Sequence, residues 1–288
     1  MQAYLDIVRR TMDTGVIKHN RTGVDAATVP GAMFEHDMSN GFPLLTTKKV
    51  LYRLVASELE FFIKGMTEKE WLRERNNHIW DDWCSPEKVA YGHDEETLRK
   101  MAAERELGPI YGWQWRNFGA EYTAHDQPPA GKGIDQLQNG IDKLKSDPDD
   151  RRMIVSAWNP VDFHRMALPP CHYCFQITVI DGKLNLLWNQ RSVDVALGLP
   201  FNIASYGLLL HLIAKEAGLE EGRLVGFLAD THIYVNHFEG MKKQLARNPR
   251  LLPSIRTAKF TSIFDWRYED SVIENYDPHP GIKFEIAV

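Results

Sequence analysis

A single thiol, one oddly placed carboxylate and a few arginines carry most of the chemistry open to this chain. Cys171 follows Pro169-Pro170 and precedes His172. A free thiol ionises at about pH 8.5, so little is thiolate at neutral pH, and a neighbouring cation raises that fraction. The run from Cys171 to Ile180, the Asp181-Gly182 pair and the return from Lys183 to Asp194 predict a β-hairpin. With Ile180 facing Lys183, counting back sets Cys171 opposite Ser192 and His172 opposite Arg191. A bulge would move that pairing by one residue. Either way, a thiol lies beside a guanidinium and a hydroxyl, with the Asp194 carboxylate further along.

The cysteine is open to two other readings. Cys171 and Cys174 fit C-x-x-C, but the chain has only one further cysteine, Cys84, and no second pair. Residues three apart on a strand face opposite ways, which disfavours a zinc or dithiol centre. No metal is expected. A Cys-His arrangement could draw on Cys171, His172 and Asp194. Adjacent strand residues diverge, so His172 is poorly aimed at the thiol and His232 is the better base.

The carboxylate is Glu58. Leu51, Leu54, Val55, Leu59 and Phe62 predict an amphipathic helix over residues 50–63, and Glu58 falls on its apolar stripe. It is either paired in the core or exposed in a pocket. Glu60 lies about 200° further round and faces elsewhere. Arg21, Arg151, Arg152 and Arg191 stand next to turns or at strand ends, where a guanidinium can fork onto phosphate. Neither glycine-rich phosphate motif is present, so side chains would hold such a group. Arg151-Arg152 opens a predicted strand over 153–158, pointing to opposite faces, toward an anion or a neighbouring subunit.

Other elements must position these groups. Trp80 and Trp83 are either core or a stacking surface for a heterocycle. Residues 85–107 are charged and helix-prone and read as a solvated insertion without a catalytic part. Helices are predicted over 4–16, 134–145, 203–217 and 237–247, and strands over 28–34, 224–229 and 255–263. Residues 196–202 read as a turn, and His232 and Tyr234 share a face if extended. The net charge of -5 argues against general nucleic-acid binding. Few cysteines, no signal-like start and no long apolar run point to a cytoplasmic protein. Residues 1–288 show no composition break and read as one domain.

Longer motifs add a resemblance. Arg21-Thr22-Gly23, Phe42-Pro43-Leu44-Leu45-Thr46-Thr47-Lys48, Ile79-Trp80-Asp81, Gly108-Pro109-Ile110-Tyr111-Gly112, Asp149-Asp150-Arg151-Arg152 and Leu168-Pro169-Pro170-Cys171-His172 are six of them. The segment from Gln190 to Asn202, Asp230-Thr231-His232-Ile233-Tyr234 and Tyr276-Asp277-Pro278-His279-Pro280 complete the set. Together they resemble the folate-dependent thymidylate synthase family along nearly the whole chain. That resemblance implies an α+β domain, a large twisted mixed β-sheet flanked by helices and a homodimer formed through the sheet. It implies dUMP as substrate and 5,10-methylenetetrahydrofolate as carbon donor and reductant, with no metal. Cys171, Glu58, Tyr111, Arg191, Asp194 and Asn202 would form the catalytic set. Cys171 would attack uracil C6, Glu58 would manage protons near O4 and Tyr111 would position the water that removes the C5 proton.

The same resemblance assigns the binding groups. Arg21, Arg191 and Ser192 would hold phosphate, and Arg151 and Arg152 would reach the partner's. Gln190 and Asp194 would join Asn202 around the nucleotide, and His232 and Tyr234 would take the 3′-hydroxyl. Lys48, Trp80, Trp83, Asp194, Leu197, Gly198, Ala287 and Val288 would line the folate site. Glu60-Phe61, Tyr173, Asn189 and Ala229 depart from the family pattern. They raise a rival within it, a dUMP hydroxymethylase that adds water in place of hydride. Asn202, a mixed donor and acceptor, fits uracil better than cytosine.

Overall fold

In a computed structural model describing residues 1–20 and 23–285, the hairpin supplies two adjacent strands of a six-stranded sheet. In chain order the elements are helix α1 (Gln2–Thr14), strands β1 (Val16–Lys18) and β2 (Ala26–Asp37), and helices α2 (Tyr52–Ile63), α3 (Glu70–Arg73), α4 (Glu95–Ala103), α5 (Tyr111–Asn117) and α6 (Gln136–Ser146). Strands β3 (Ile154–Ser156), β4 (His172–Ile180) and β5 (Lys183–Asp194) follow, then α7 (Gly198–Ala217), β6 (Glu220–Tyr234), α8 (Phe238–Leu245), β7 (Ser254–Thr257) and β8 (Ser271–Glu274). The sheet runs β1-β2-β6-β5-β4-β3, and β7 pairs with β8 apart from it. Among the described residues, only β5 and β6 are parallel within the large sheet. A parallel pair needs a long crossover, which α7 supplies. The architecture is a single α+β domain with a mixed sheet flanked by helices.

Helix α7 is apolar on nearly every side, and Leu208, Leu209, Leu210, Leu212 and Ile213 have no exposed surface. A helix hydrophobic all round belongs in a core. Gly218 ends it at φ +67°, with its N–H on the carbonyls of Ala214 and Lys215. The helix starts at Gly198, so most of the turn predicted over 196–202 is helical. Pro200 does not prevent this, because a first-turn residue needs no backbone N–H.

The hairpin follows the predicted register from Ile180↔Lys183 to Cys174↔Asn189. A bulge at Tyr173 then shifts it, and His172 faces Gln190 rather than Arg191. The Arg191 amide donates to the Cys171 carbonyl at 2.8 Å, so Cys171 faces Arg191 and not Ser192. The extra residue reverses which face follows, and His172 is buried among helices.

Other boundaries move as well. Arg151 and Arg152 lie in the turn before β3, not on a strand, and Arg152 is held by Asp150 through two contacts from its guanidinium. Strand β6 is longer than predicted because it pairs on both sides, with β2 and β5. The strand predicted over 255–263 stops at Thr257, and Lys259 takes φ +51°. Residues 85–107 divide into two parts. Leu98 on α4 is exposed, whereas Ser85, Met101, Glu106 and Leu107 are buried. Glu106 accepts from the Tyr122 hydroxyl and from the amides of Gly108 and His125, so this segment is docked rather than solvated throughout.

The outer face of the sheet has a transverse row in which Met33 pairs with Phe227, Phe227 with Asn189, Asn189 with Cys174, and Cys174 with Ser156. Met33 is 58% and Phe227 43% exposed. The inner face carries Phe34, Phe175, Trp188 and Leu228, which pack under the helices in the main core.

Candidate active site

Cys171 sits where two cavities of about 580 and 410 Å³ meet, both also lined by Trp83, Leu168, Ser192, His232 and Tyr234. They are two lobes of one cleft. Three side-chain contacts fix the backbone at the thiol. The Cys171 amide donates to the Tyr111 hydroxyl at 2.8 Å. Arg191 Nε donates to the Pro170 carbonyl at 2.9 Å, and its Nη2 to that of Pro169 at 2.8 Å. The guanidinium thus holds the Pro-Pro step with two of its five donors while lining the larger lobe. Cys171, Cys174 and Cys84 form no disulfide.

Helix α2 delivers Glu58 to the smaller lobe. Its neighbours Val55, Ala56, Leu59 and Phe62 are buried, which explains a carboxylate on an apolar stripe. Trp80 Nε1 donates to Glu58 Oε1 at 2.8 Å. Burial pushes the carboxyl up to about 7, and the indole N–H opposes that shift by favouring the anion. The loop bearing Trp80 is tied to the same helix, because the Asn77 side-chain amide donates to the Leu54 carbonyl and to Ser57 Oγ. Trp80 and Trp83 meet edge to face at 6.2 Å.

Tyr111 opens α5, which lies directly on α2. A Cβ at Gly112 would stand 2.3 Å from the Phe62 carbonyl oxygen, so only glycine permits this approach. The Tyr111 ring stacks on Phe62 at 4.8 Å and lies 4.5 Å from His172. Burial, then the neighbouring Cys171, raise its pKa well above the ordinary phenol value. His172 is pushed down to about 3 by burial, and its Nδ1 pairs with the Tyr206 hydroxyl at 3.0 Å. It is a neutral core group beneath the thiol.

The return strand and α7 supply the rest. Gln190 Nε2 donates to Asn202 Oδ1 at 3.0 Å, and Trp188 Nε1 donates to Gln190 Oε1 at 3.2 Å. This chain sets the Asn202 amide at the smaller lobe. Asp194 Oδ1 accepts from the amides of Ala196 and Leu197, which folds the residues before α7 back toward the cleft. Leu197 and Gly198 line the same lobe. His232 Nδ1 lies 3.0 Å from Asp230 Oδ1, and the rings of His232 and Tyr234 are 5.3 Å apart, so they share a face as predicted.

Some expected residues are placed elsewhere. Lys48 is buried, lines neither lobe, and donates to the Ala196 carbonyl beneath the Phe284 ring. Desolvation lowers it to about 8, partly offset by Asp194. Arg151 and Arg152 are exposed and line neither lobe. Arg21, Ala287 and Val288 lie outside the described residues. Conversely, Lys18, Asp230 and Tyr91 line the larger lobe unforeseen, with Lys18 Nζ 2.8 Å from Asp230 Oδ2. For Lys18 and Asp230 the signal was long-range: β1 and β6 converge only through β2. Among the described residues, no cluster of His, Cys, Asp and Glu could hold a metal, and no helix could cross a membrane.

A nucleophile, a carboxyl poised near neutrality, a fixed amide and an aromatic wall therefore meet in one cleft, suited to covalent activation of a flat polar ring. The sequence profile of the thymidylate synthase family matches residues 2–288. The chain belongs to the thymidylate synthase family, one-carbon transferases that act on dUMP with methylenetetrahydrofolate.

Proposed function

We propose that the protein is a thymidylate synthase that methylates dUMP reductively. The observation that carries this reading is that Cys171, Glu58, Tyr111 and Asn202, from separate elements, line one lobe of about 410 Å³. The Cys171 thiolate adds to C6 of the uracil ring, and C5 becomes the carbon nucleophile. Bound methylenetetrahydrofolate supplies the one-carbon unit and then the hydride. Glu58, held near neutrality by burial, exchanges a proton with O4 through water. Tyr111 stays a phenol and orders the water that takes the C5 proton. Asn202 reads N3 and O4, with its amide set by Gln190.

Arg191 and Ser192, with Arg21, hold the phosphate, and His232 and Tyr234 take the 3′-hydroxyl. The residues fit the folate. Trp80 and Trp83 offer flat walls, Asp194 an acceptor for the pterin edge, and Leu197 and Gly198 an apolar floor beside it. Ala287 and Val288 belong to the same proposed site, and Lys48 supports it from behind by holding the Ala196 carbonyl next to Leu197. The synthase outcome is favoured over hydroxymethylation because none of the departures from the family pattern lines the cleft. Asn189 lies on the outer row, Tyr173 in the bulge beside Trp158, and Glu60 on the far side of α2 with Lys64.

A homodimer packed through the outer sheet face accounts for its exposed apolar row. It also gives Arg151 and Arg152, which lie away from the cleft of their own chain, a phosphate to hold in the partner's. Tritium release from C5-labelled dUMP with methylenetetrahydrofolate tests the reading. Release is expected from the wild type and not from Cys171→Ala, which still binds dUMP. Release undiminished in Cys171→Ala would contradict it.

A further inference from the structure

The charged segment after Trp83 has a part in the cleft that its composition conceals. Tyr91 lines both lobes, beside Trp83, Leu168 and Cys171. Its side chain is exposed and meets His93 edge to face at 5.1 Å. Two ties hold the segment against the tryptophan loop. The Lys69 ammonium, with no exposed surface, donates to the carbonyls of Asp81 at 3.0 Å, Trp83 at 2.8 Å and Met101 at 2.8 Å. It therefore joins the loop bearing the tryptophans to the end of α4. The Ser85 amide donates to the Glu106 carbonyl at 2.7 Å, which closes the base of the segment.

Two more ties fix it to the stretch that leads into Cys171. Arg165 Nε lies 3.2 Å from Glu87 Oε2, and the Ala167 amide donates to the Leu107 carbonyl at 2.8 Å. Tyr91 is thus suspended between the aromatic wall and the loop that leads to the nucleophile. The polar positions around the nucleotide are already filled by Arg191, Ser192, Asn202 and His232. What Tyr91 adds is a third aromatic ring beside Trp83, at the join of the lobes.

We propose that Tyr91 is a cofactor-contact residue, whose ring packs on the flat aryl part of the folate while the docked segment 84–107 holds it there. This rests on the functional reading above. A ring contact of this kind changes affinity by about 3- to 10-fold, so Tyr91→Ala raises the KM for methylenetetrahydrofolate by about that factor. The Kd for dUMP, measured without folate, stays within about twofold of wild type, because the contact is with the second ligand. Tyr91→Phe keeps the ring and the wild-type KM. Tyr91→Leu fills the space without the ring and raises the KM as alanine does. Leu98→Ala, on the exposed face of α4, is the control and leaves both constants unchanged.

An unchanged folate KM in Tyr91→Ala and Tyr91→Leu overturns the proposal. So does an equal loss of dUMP affinity, which would mark a structural effect. Both comparisons are made against a wild type that turns over dUMP. Absence of that turnover would overturn the functional reading itself, a separate failure.

Discussion

The Tyr111 hydroxyl accepts the backbone N–H of Cys171 at 2.8 Å. This contact links the nucleophile's main chain to α5, and α5 is seated on Phe62 of α2, the helix that carries Glu58, through the bare Cα of Gly112. Three of the proposed catalytic groups therefore move as one body. The bond also uses a phenol lone pair and leaves the phenol proton for another acceptor.

Tyr111→Phe removes the acceptor and the proton together. Loss of a positioned proton-handling group lowers kcat by about 10²-fold or more. The unpaired buried amide costs about 1–3 kcal/mol of stability. Steady-state kinetics and urea unfolding read the two effects separately. An unchanged kcat would remove Tyr111 from the chemistry.

Glu58 sets a pH dependence. Its carboxyl is raised from 4.5 to about 7 by burial. A raised folded-state pKa gives stability that is full below the unfolded value and is lost as pH rises through the folded one. The wild type should therefore lose stability relative to Glu58→Gln between pH 4.5 and about 7, with the difference level above that. Chemical denaturation at pH 4.5, 6 and 8 tests this. A difference that does not change with pH would contradict the buried placement.

His172 gives the opposite sign. Burial lowers it from 6.5 to about 3. Its contribution is present above pH 6.5 and declines as pH falls toward about 3. Its imidazole resonances should not titrate between pH 5 and 9, a window inside the neutral range that burial imposes. A midpoint near the free-imidazole value of about 6.5 would contradict it.

The outer sheet row predicts assembly. Phe227→Asp places a charge among Met33, Asn189 and Cys174. Sedimentation should show a dimer for the wild type and a monomer with little turnover for the variant. A monomeric wild type with full turnover would refute the dimer and the role of Arg151 and Arg152 across it.

Much of this was legible in the residues. The apolar stripe of α2 foretold both the helix and the odd position of Glu58, and Asp181-Gly182 foretold the hairpin. Alternation alone could not find the bulge at Tyr173, because strand spacing fixes faces only while the register is unbroken. The start of α7 was hidden by Gly198 and Pro200, which read as turn residues but suit a first helical turn. The resemblance set Lys48 at the folate site, and nothing in its own neighbourhood foretold burial. A carbonyl from a segment almost 150 residues away, Ala196, draws it inward. Tyr91 was obscured by its charged neighbours, since only tertiary ties such as that of Lys69 bring it to the cleft.

The most direct test is the stoichiometry of products from dUMP and methylenetetrahydrofolate. Nucleotide is identified by mass spectrometry, and folate oxidation is followed by absorbance. The account predicts thymidylate and dihydrofolate in equal amounts. Hydroxymethyl-dUMP with tetrahydrofolate would contradict it, and would mean that water, not hydride, reaches the carbon delivered above Cys171.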